Sequence, residues 1–288
     1  AQAGVVAITD DGHCVQNNEL MRRAVEYARM VGVPVLDHCQ DYNLVGNGVV
    51  HEGYWSTLLG LPGWPAAGEE AIVARNILLA ELCDHHIHCQ HISAAGSVRL
   101  LREARARGVK ISGEVCPHHI ALTDEAIQDF DTNYKMNPPL RTQDDVAALF
   151  SGMADGTLDI LASDHAPHAK FEKEVEFDQA PFGILGLETE LGVFLDLLVH
   201  KNKSIGLPRL IEMFTVNPAR LLQLPAGTLS PGAAADVTLI NPDLEWTVDV
   251  DQFESLSSNT PFDGWKLKGR AVHTIVGGKT VWSLSRGF

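Results

Sequence analysis

The sequence predicts an α/β protein built on a parallel sheet, and two observations lead to this prediction. Runs rich in β-branched residues recur five times, each followed by a polar or glycine-containing stretch and then by a segment with helical spacing. This alternation is typical of parallel strands joined by crossover helices, in an open sheet or in a barrel. Polar side chains also stand at or just after the ends of four of these runs. A TIM-type (β/α)8 barrel carries its active site there, so the pattern favours the barrel.

The five strand–helix units follow one another along the chain. The first strand is predicted at residues 4–9, and its helix begins after Asn17 or Asn18, either of which can cap it. The later strands are predicted at residues 33–36, 87–92, 109–115 and 158–162, and the later helices at residues 69–82, 97–106, 143–153 and 186–200. Because eight units close a barrel and only five are visible, we expect a truncated or cleaved chain.

The character of the sequence changes after Gln223. Short runs with strand character, separated by turns, lie at residues 225–229, 232–240 and 271–281. We therefore predict a barrel domain over residues 1–223 and a small β-sandwich-like module over residues 224–288.

Composition and charge exclude several classes of function. The 288 residues include 22 Lys and Arg against 37 Asp and Glu, and the net charge of -15 disfavours nucleic acid and anionic membranes as partners. No apolar run is long enough to span a membrane and no leader opens the chain, so we expect a cytoplasmic protein. Five scattered cysteines without a CxxC pair are expected to be reduced core residues: Cys14, Cys39, Cys83, Cys89 and Cys116.

Four side chains at predicted strand ends indicate a metal site. Asp11, His38, His91 and Asp164 would meet at one mouth of a barrel, whatever their separation in sequence. Carboxylate oxygens and imidazole nitrogens are suitable ligands for zinc or manganese. Each residue alone has a simpler interpretation, since an Asp at a strand end commonly caps a turn and a buried His commonly hydrogen-bonds in the core. Their shared position at four strand ends favours the metal site.

The segment at residues 163–168, with the sequence SDHAPH, offers further chemistry. Asp164 above a bound metal can take a proton from activated water and return it to a leaving nitrogen, although it could also be only a cap. We expect His165 to be structural and His168 to donate a hydrogen bond to a substrate. Asn137 stands in a loop with two prolines, where it can hold a polar ligand or simply form a turn, and both interpretations stay open.

Absent motifs narrow the reaction class. The sequence has no GxSxG, GxxxxGK[ST] or GxGxxG motif, so serine hydrolases, P-loop enzymes and dinucleotide enzymes lack support. A hydrolase of cyclic or linear amides that uses two metal ions remains. The other histidines are expected to be structural or to support the ligands: His13, His51, His85, His86, His88, His118, His119, His200 and His273.

Seven segments together resemble dihydroorotases of the amidohydrolase superfamily, most nearly the long bacterial class I type. They occur in the same order and with compatible spacing over almost the whole chain. The segments are residues 6–12 (VAITDDG), 36–39 (LDHC), 88–93 (HCQHIS), 114–119 (EVCPHH), 137–141 (NPPLR), 163–168 (SDHAPH) and 217–220 (NPAR). The resemblance implies a (β/α)8 barrel of that superfamily, of which only about strands 4–8 are present, with a small C-terminal β module.

The resemblance also implies a role for each candidate ligand. Asp11 would bridge two zinc ions at the end of the fourth barrel strand, and His38 and His91 would bind the second zinc from the fifth and sixth strands. Asp164, at the end of the eighth strand, would be a metal-linked general acid and base. The family's His-x-His pair, which binds the other zinc from the first strand, has no counterpart in this sequence.

For the substrate, the resemblance implies contacts to its carboxylate and ring amide from Asn137, His168 and the backbone at Phe182 and Gly183. The implied reaction is that of a cyclic amide hydrolase, the reversible zinc-dependent cyclisation of N-carbamoyl-L-aspartate to L-dihydroorotate in de novo pyrimidine biosynthesis. A homo-oligomer is expected, with aspartate carbamoyltransferase as a candidate partner.

Two alternatives remain. The first alternative is a dihydropyrimidinase, hydantoinase or allantoinase of the same superfamily. These relatives usually bridge their metals with a carboxylated lysine at the position that matches Asp11, where this sequence has no lysine. The other alternative is a catalytically inactive dihydroorotase-like scaffold for aspartate carbamoyltransferase. An enzyme is favoured over a scaffold because all four candidate residues are present: Asp11, His38, His91 and Asp164. The His-x-His pair of the first strand would decide between an enzyme and a scaffold.

Overall fold

The computed structural model describes residues 2–284 of the chain. Its strands are β1 (Ile8–Thr9), β2 (Val35–Asp37), β3 (Val50–His51), β4 (Gly63–Trp64), β5 (Ile87–Cys89), β6 (Ile111–Val115), β7 (Ile160–Leu161), β8 (Val237–Thr247), β9 (Lys266–Val276) and β10 (Lys279–Ser283). Its helices are α1 (Asn18–Val31), α2 (Tyr42–Val45), α3 (Tyr54–Leu59), α4 (Ala67–Cys83), α5 (Ala95–Ala106), α6 (Pro117–Ala121), α7 (Gln143–Asp155), α8 (Lys170–Lys173), α9 (Glu190–Phe194), α10 (Leu207–Phe214) and α11 (Val216–Leu221).

Five short strands form a parallel sheet in the order β1, β2, β5, β6, β7. Val35 of β2 pairs with Ile8 of β1 and with Ile87 of β5, and Ile87 pairs in turn with Ile111 of β6. Because neighbouring strands run in the same direction, their C-terminal ends lie along one edge of the sheet. All five predicted strands of the parallel sheet are confirmed, and the polar segments that follow them start from this common edge.

The helices that connect these strands begin and end at residues suited to capping. Asn17 begins α1 because its side chain accepts a hydrogen bond from the backbone N–H of Leu20. Helix α7 begins with a reciprocal pair, in which Thr142 and Asp145 each accept a hydrogen bond from the other's backbone N–H. Such caps contribute about 1 kcal/mol each. The helices predicted after the first four strands are present as α1, α4, α5 and α7.

The fifth predicted helix begins later than the sequence indicates. It was expected from residue 186, whereas α9 begins at Glu190 and continues as a π-helical segment, Leu195–Lys201. The reason is a close approach of backbones, because a Cβ on Gly186 would lie 2.2 Å from the carbonyl oxygen of Ser163. Gly186 therefore packs against the loop after β7 and forms a turn with Thr189 and Glu190 rather than the first turn of a helix.

The main core lies between the parallel sheet and the helices that cover it. Leu101 of α5, Leu149 of α7 and Leu158 before β7 are fully buried there. Gly113 of β6 allows this close packing, since a Cβ at that position would lie 2.9 Å from Leu101 Cδ1 and 3.0 Å from Leu158 Cδ2. Burying each of these leucines contributes about 1.5–3 kcal/mol to the stability of the fold. The sheet edge that carries the polar residues is therefore held by a well-packed core.

The C-terminal part of the described chain forms a three-stranded antiparallel sheet in the order β10, β9, β8. The prediction of a strand at residues 225–229 is wrong, because Pro225 lacks the N–H that a ladder needs and Gly227 adopts a left-handed φ of 75° against Thr215. Strand β8 is longer than predicted and extends to Thr247. The division of the chain after residue 223 stays a prediction.

The long segment between β2 and α4 contains local structure of its own. Helices α2 and α3 lie in it, together with a parallel pair formed by β3 and β4. Gly48 permits this pairing, because a Cβ there would lie 2.6 Å from the carbonyl oxygen of Gly63. Among the described helices, none is long and apolar enough to cross a membrane.

Candidate metal centre

Three of the four predicted ligands converge on one point. Asp11 follows β1, His38 follows β2 and His91 follows β5, so each comes from a different strand of the sheet. Nδ1 of His38 lies 2.9 Å from Nε2 of His91, and the Asp11 Oδ1 atom lies 3.4 Å from the first nitrogen and 3.5 Å from the second. Both histidines are buried, whereas the Asp11 side chain is 45% exposed, which leaves the group open to solvent from one side.

The charges in this group favour a cation. The neighbouring imidazoles of His38 and then His91 hold the pKa of Asp11 well below its usual range. Burial disfavours the charged form of His91, but its hydrogen bond to Asp11 and the field of Asp164 outweigh this and raise its pKa to about 9. Asp11 and Asp164 thus stabilise a positive charge at the buried position of His91. One carboxylate oxygen and two imidazole nitrogens that converge in this way fit a divalent cation of the first transition series or zinc.

Gln40 defines which nitrogen of His38 faces the group, and sequence reasoning missed this residue. Its Oε1 atom lies 2.8 Å from His38 Nε2. A carbonyl oxygen only accepts hydrogen bonds, so this contact places the His38 proton on Nε2 and leaves the lone pair on Nδ1. Nδ1 is the nitrogen that faces Asp11 and His91. Side chains that orient a ligating histidine in this way are a usual part of metal sites.

Asp10 and Glu114 hold the two histidines by their backbones. Asp10 Oδ1 accepts a hydrogen bond from the N–H of His38 at 2.9 Å, and Glu114 Oε1 accepts one from the N–H of His91 at 3.3 Å. Although burial opposes its charge, a hydrogen bond from His88 lowers the pKa of Glu114 below its ordinary value. Glu114 could have been suspected from sequence, because it is the only charged residue in the otherwise uncharged run of β6.

Asp164 lies near this group but outside it. Its carboxylate does not belong to the set of donor atoms within 4.8 Å of one another that Asp11, His38 and His91 form. Burial raises the pKa of Asp164, which also feels the charges of those three side chains. Both Asp164 and His91 adopt left-handed backbone conformations, with φ of 46° and 33°. Such conformations cost about 1–3 kcal/mol in residues other than glycine and are concentrated at functional sites.

The predicted substrate residue Asn137 is joined to the donor group through Gln40. Its Nδ2 atom donates to Gln40 Oε1 at 3.0 Å. Its Oδ1 atom is buried and has no hydrogen-bond partner within residues 2–284. A buried amide oxygen without a partner costs free energy unless a ligand or water supplies the missing donor. Of the two interpretations left open from sequence, this geometry favours an amide available to a ligand.

The other predicted substrate residues form a second group around the loop that follows β7. Nε2 of His168 lies 2.8 Å from the carbonyl oxygen of Phe182 and donates to it, and the N–H of Gly183 donates to the carbonyl oxygen of Lys135. The second contact joins this loop to the one that carries Asn137, which lies two residues further along the chain. Gly183 has a φ of 115°, and a Cβ there would lie 2.5 Å from Ala166 Cβ, so only glycine fits.

Asn259, which sequence reasoning also missed, holds this second group together. Its side chain donates to the carbonyl oxygens of Ala166 and Gly183 and accepts from the backbone N–H of His168. No motif marks Asn259 in the sequence, because its partners lie 76 to 93 residues away. His165 takes a structural position, as its Nδ1 accepts a hydrogen bond from the N–H of Gly186.

A large cleft lies away from the candidate metal centre. It encloses about 1300 Å³ between the segment from α9 to α11 and the antiparallel sheet, and its walls include Glu190 and Trp246. None of Asp11, His38 and His91 lines it. We therefore assign the site by its donor chemistry rather than by the volume of a cleft.

The chain matches two protein families. Residues 66–281 match the amidohydrolase family, and residues 1–97 match the dihydro-orotase-like family.

Individual relatives agree with these matches. The chain is 55% identical over 280 residues to the dihydroorotase of Pelotomaculum thermopropionicum and 51% identical over 281 residues to that of Geobacter metallireducens. These alignments cover 97% and 98% of this chain but 65% and 66% of the two relatives, so the chain spans about two thirds of their length.

Solved structures show the same architecture. The L-hydantoinase (dihydropyrimidinase) of Arthrobacter aurescens matches with a TM-score of 0.87 and 25% identity, over 98% of this chain and 66% of its own. The dihydropyrimidinase of Brevibacillus agri matches with a TM-score of 0.85 and 23% identity, over 98% of this chain and 64% of its own. The expected fold class is therefore confirmed for the part that the chain covers.

Proposed function

The chain belongs to the amidohydrolase family, and on this basis we propose that it acts as a dihydroorotase, which interconverts N-carbamoyl-L-aspartate and L-dihydroorotate. The convergence of Asp11, His38 and His91 at the ends of three parallel strands carries the proposal. Curated dihydroorotases that are 49–55% identical over nearly the whole chain support it.

Zinc is the metal that we propose for this centre, with Asp11, His38 and His91 as the residues that would hold it. When bound, zinc acts as a Lewis acid that polarises the ring amide carbonyl. The chain's own contribution is to present the donors already oriented, since Gln40 fixes the proton of His38 on Nε2 and Asp10 holds its backbone. We propose that a complete site would hold two zinc ions, with Asp11, His38 and His91 among the residues that would hold them.

Asp164 is the residue that we propose moves the proton. In the hydrolytic direction the oxygen of a water molecule bonds to the amide carbonyl carbon and the bond from that carbon to the ring nitrogen breaks. Asp164 would take a proton from the water, because the departing ureido nitrogen needs one. The Asp164 carboxyl would donate that proton and, in ring closure, take it back. Its 23% exposed side chain, beside the donor group but outside it, suits a group that must reach the substrate rather than be buried behind the metal.

We propose that the substrate is held by the side chains of Asn137 and His168. The unpartnered Asn137 Oδ1 can accept a hydrogen bond from a ring N–H. In His168 the Nε2 atom is hydrogen-bonded to the carbonyl oxygen of Phe182, whereas Nδ1 is not. Nδ1 lies 3.8 Å from Glu172 Oε2. The backbone N–H of Gly183 already donates to Lys135, so we propose that Phe182 and Gly183 shape the pocket through their conformation.

The alternatives differ in substrate rather than in fold. Hydantoinases and dihydropyrimidinases match this structure at 20–25% identity, which supports a shared architecture. The identities of 49–55% to dihydroorotases favour a substrate with a carboxylate on the ring. An inactive scaffold would not need the preserved donor group. A homo-oligomer and a complex with aspartate carbamoyltransferase stay predictions, as does a cytoplasmic location.

The substrate assignment is tested by comparing two ring amides. Hydrolysis of L-dihydroorotate and of dihydrouracil would be followed by ultraviolet absorbance on the zinc-supplemented protein. We expect turnover of L-dihydroorotate and none of dihydrouracil, which lacks the ring carboxylate. Preferred turnover of dihydrouracil would replace the assignment with a dihydropyrimidinase. Turnover of neither would indicate a truncated enzyme or a scaffold, which the sequence of the first barrel strand would distinguish.

A further inference from the structure

We propose that Cys116, His118 and His119 form a separate, sulfur-containing metal site that takes a cation with a preference for thiolate and imidazole, such as Zn²⁺. Each of the three residues offers a donor atom, and the three atoms lie within 4.8 Å of one another. None of them belongs to the Asp11, His38 and His91 group, so this site does not depend on the proposed function.

The first argument is that the imidazole donors are buried and unpaired. Cys116 and His118 are completely inaccessible and His119 is 2% exposed. Neither ring nitrogen of His118 has a hydrogen-bond partner in the described part of the chain, and nor does Nδ1 of His119. Buried polar atoms are almost always paired with protein, water or an ion, so three unpaired nitrogens in one place require an explanation.

The second argument is the tautomer of His119. Its Nε2 atom lies 2.9 Å from the carbonyl oxygen of Pro138, which can only accept a hydrogen bond. The proton of His119 is therefore on Nε2, and the lone pair of the unpaired Nδ1 is free to bind a cation. A histidine that donates one ring N–H to a backbone carbonyl and presents the other nitrogen is the usual arrangement of a metal ligand.

The third argument is geometry along the chain. Cys116 directly precedes α6, and His118 and His119 lie in the first turn of that helix, so one turn of backbone supplies all three donors. Two ligands of a tetrahedral zinc lie roughly 3.5 Å apart, given Zn–S and Zn–N distances of about 2.3 and 2.0–2.1 Å. The three donor atoms already lie within 4.8 Å of one another, which is close to this separation.

The fourth argument is the charge around the sulfur. Burial is the main reason that the pKa of Cys116 is well above its ordinary value, and the charges of Asp164, Glu114 and Glu190 raise it further. The same negative field that disfavours a lone thiolate favours a cation bound to it. Burial keeps His118 and His119 neutral by lowering their pKa values, and neutral imidazole is the form that binds metal.

Asp164 offers a connection between this site and the solvent-facing centre. Its Oδ2 atom lies 4.0 Å from Nε2 of His118, too far for a hydrogen bond but close enough to attract a cation entering the cluster. A buried water that satisfies the three nitrogens is the competing explanation, and it predicts no sulfur ligation.

Cobalt titration distinguishes the two explanations. Metal-free protein would be titrated with Co²⁺, because a thiolate bound to Co²⁺ gives a charge-transfer band in the near ultraviolet that carboxylate and imidazole ligands do not give. We expect the band in the wild-type protein and its loss in Cys116→Ser, and the variant should bind about one equivalent of Co²⁺ less than the wild-type protein. Folding of the variant would be checked by circular dichroism.

Two further variants make the test specific. Cys39→Ser changes the buried thiol next to His38 and is expected to keep the band. Asp11→Asn is expected to lose dihydroorotate turnover and also to keep the band, so failure of the proposed function and failure of this site are distinguishable. No band in the wild-type protein at saturating Co²⁺, a band that survives Cys116→Ser, or one that disappears in Cys39→Ser would each overturn the proposal.

Discussion

His38 and Asn137 share a single hydrogen-bond acceptor. Gln40 Oε1 lies 2.8 Å from His38 Nε2 and 3.0 Å from Asn137 Nδ2, although the two donors are 99 positions apart in sequence. One amide oxygen therefore fixes both the tautomer of a metal-facing histidine and the orientation of the amide proposed to hold the substrate. The proposed metal and substrate functions are mechanically connected at this atom.

Replacing Gln40 should disturb both functions. In Gln40→Leu the acceptor is lost, so His38 and Asn137 can rotate, and we expect zinc affinity and kcat/KM each to fall about 10- to 100-fold. Gln40→Glu keeps an acceptor and should retain most of both. Zinc affinity would be measured by competition with a chelator. Gln128→Leu, the same change at an exposed position, is the control, and an equal loss in that variant would contradict the role of Gln40.

Asp164→Asn should separate metal binding from turnover. The amide keeps the size of the side chain but cannot donate and take back a proton, so we expect kcat to fall by about 100- to 10,000-fold. The zinc content should stay near that of the wild-type protein, because Asp164 lies outside the close donor group. Metal analysis and steady-state kinetics on the same preparation would check this. Wild-type turnover in the variant would remove Asp164 from the mechanism.

Asn259→Ala should weaken the loop that follows β7. Three hydrogen bonds, to Ala166, to Gly183 and from His168, are lost from a buried position. We expect a loss of about 1–3 kcal/mol in the free energy of unfolding, measured in urea, and a higher KM because His168 is no longer held. Asn241→Ala removes an exposed asparagine and serves as the control. An unchanged KM would indicate that Asn259 only supports the fold.

The lowered pKa of His51 should make the free energy of unfolding depend on pH. Burial and the charge of Arg141 lower its pKa from 6.5 to about 4, and its Nδ1 atom lies 3.1 Å from Arg141 Nη1. The unfolded chain therefore binds a proton more readily than the folded protein between these values. The stability from neutral His51 is fully present above pH 6.5 and is lost as the pH falls toward 4.

The variant His51→Asn isolates this effect, since asparagine keeps an acceptor near Nδ1 and does not titrate. Between pH 6.5 and 4 the wild-type protein should lose about 1 kcal/mol of stability per pH unit relative to the variant. Urea unfolding of both proteins at a series of pH values measures the difference. A difference that does not change with pH would show that His51 is not kept neutral by its surroundings.

The sequence predicted the parallel sheet well because hydrophobic runs and strand ends are local features. Asp11, His38 and His91 could be brought together from these alone, since parallel strands carry their C-terminal ends to one edge. Asp164 was grouped with them on the same reasoning, but its carboxylate lies outside the close set. The position of a residue at a strand end predicts which edge of the sheet it lies on. It does not predict the distance between its side chain and the other donor atoms.

The supporting contacts could not be predicted in the same way. Gln40 and Asn259 act through partners far along the chain, and an amide at either position looks like any polar loop residue in sequence. The error at residues 225–229 and the late start of α9 have a different cause. Both depend on close backbone approaches at Gly227 and Gly186, which tertiary packing decides.

The central claim is that the Asp11, His38 and His91 group is the metal centre of a dihydroorotase, and its most direct test is the zinc dependence of turnover. Metal-free protein would be titrated with Zn²⁺ while bound zinc and L-dihydroorotate hydrolysis are measured on the same samples. We predict that activity rises from zero as zinc binds, and that Asp11→Asn abolishes turnover and lowers the amount of bound zinc. Hydrolysis by the metal-free protein, or zinc-dependent turnover that persists in Asp11→Asn, would contradict the account.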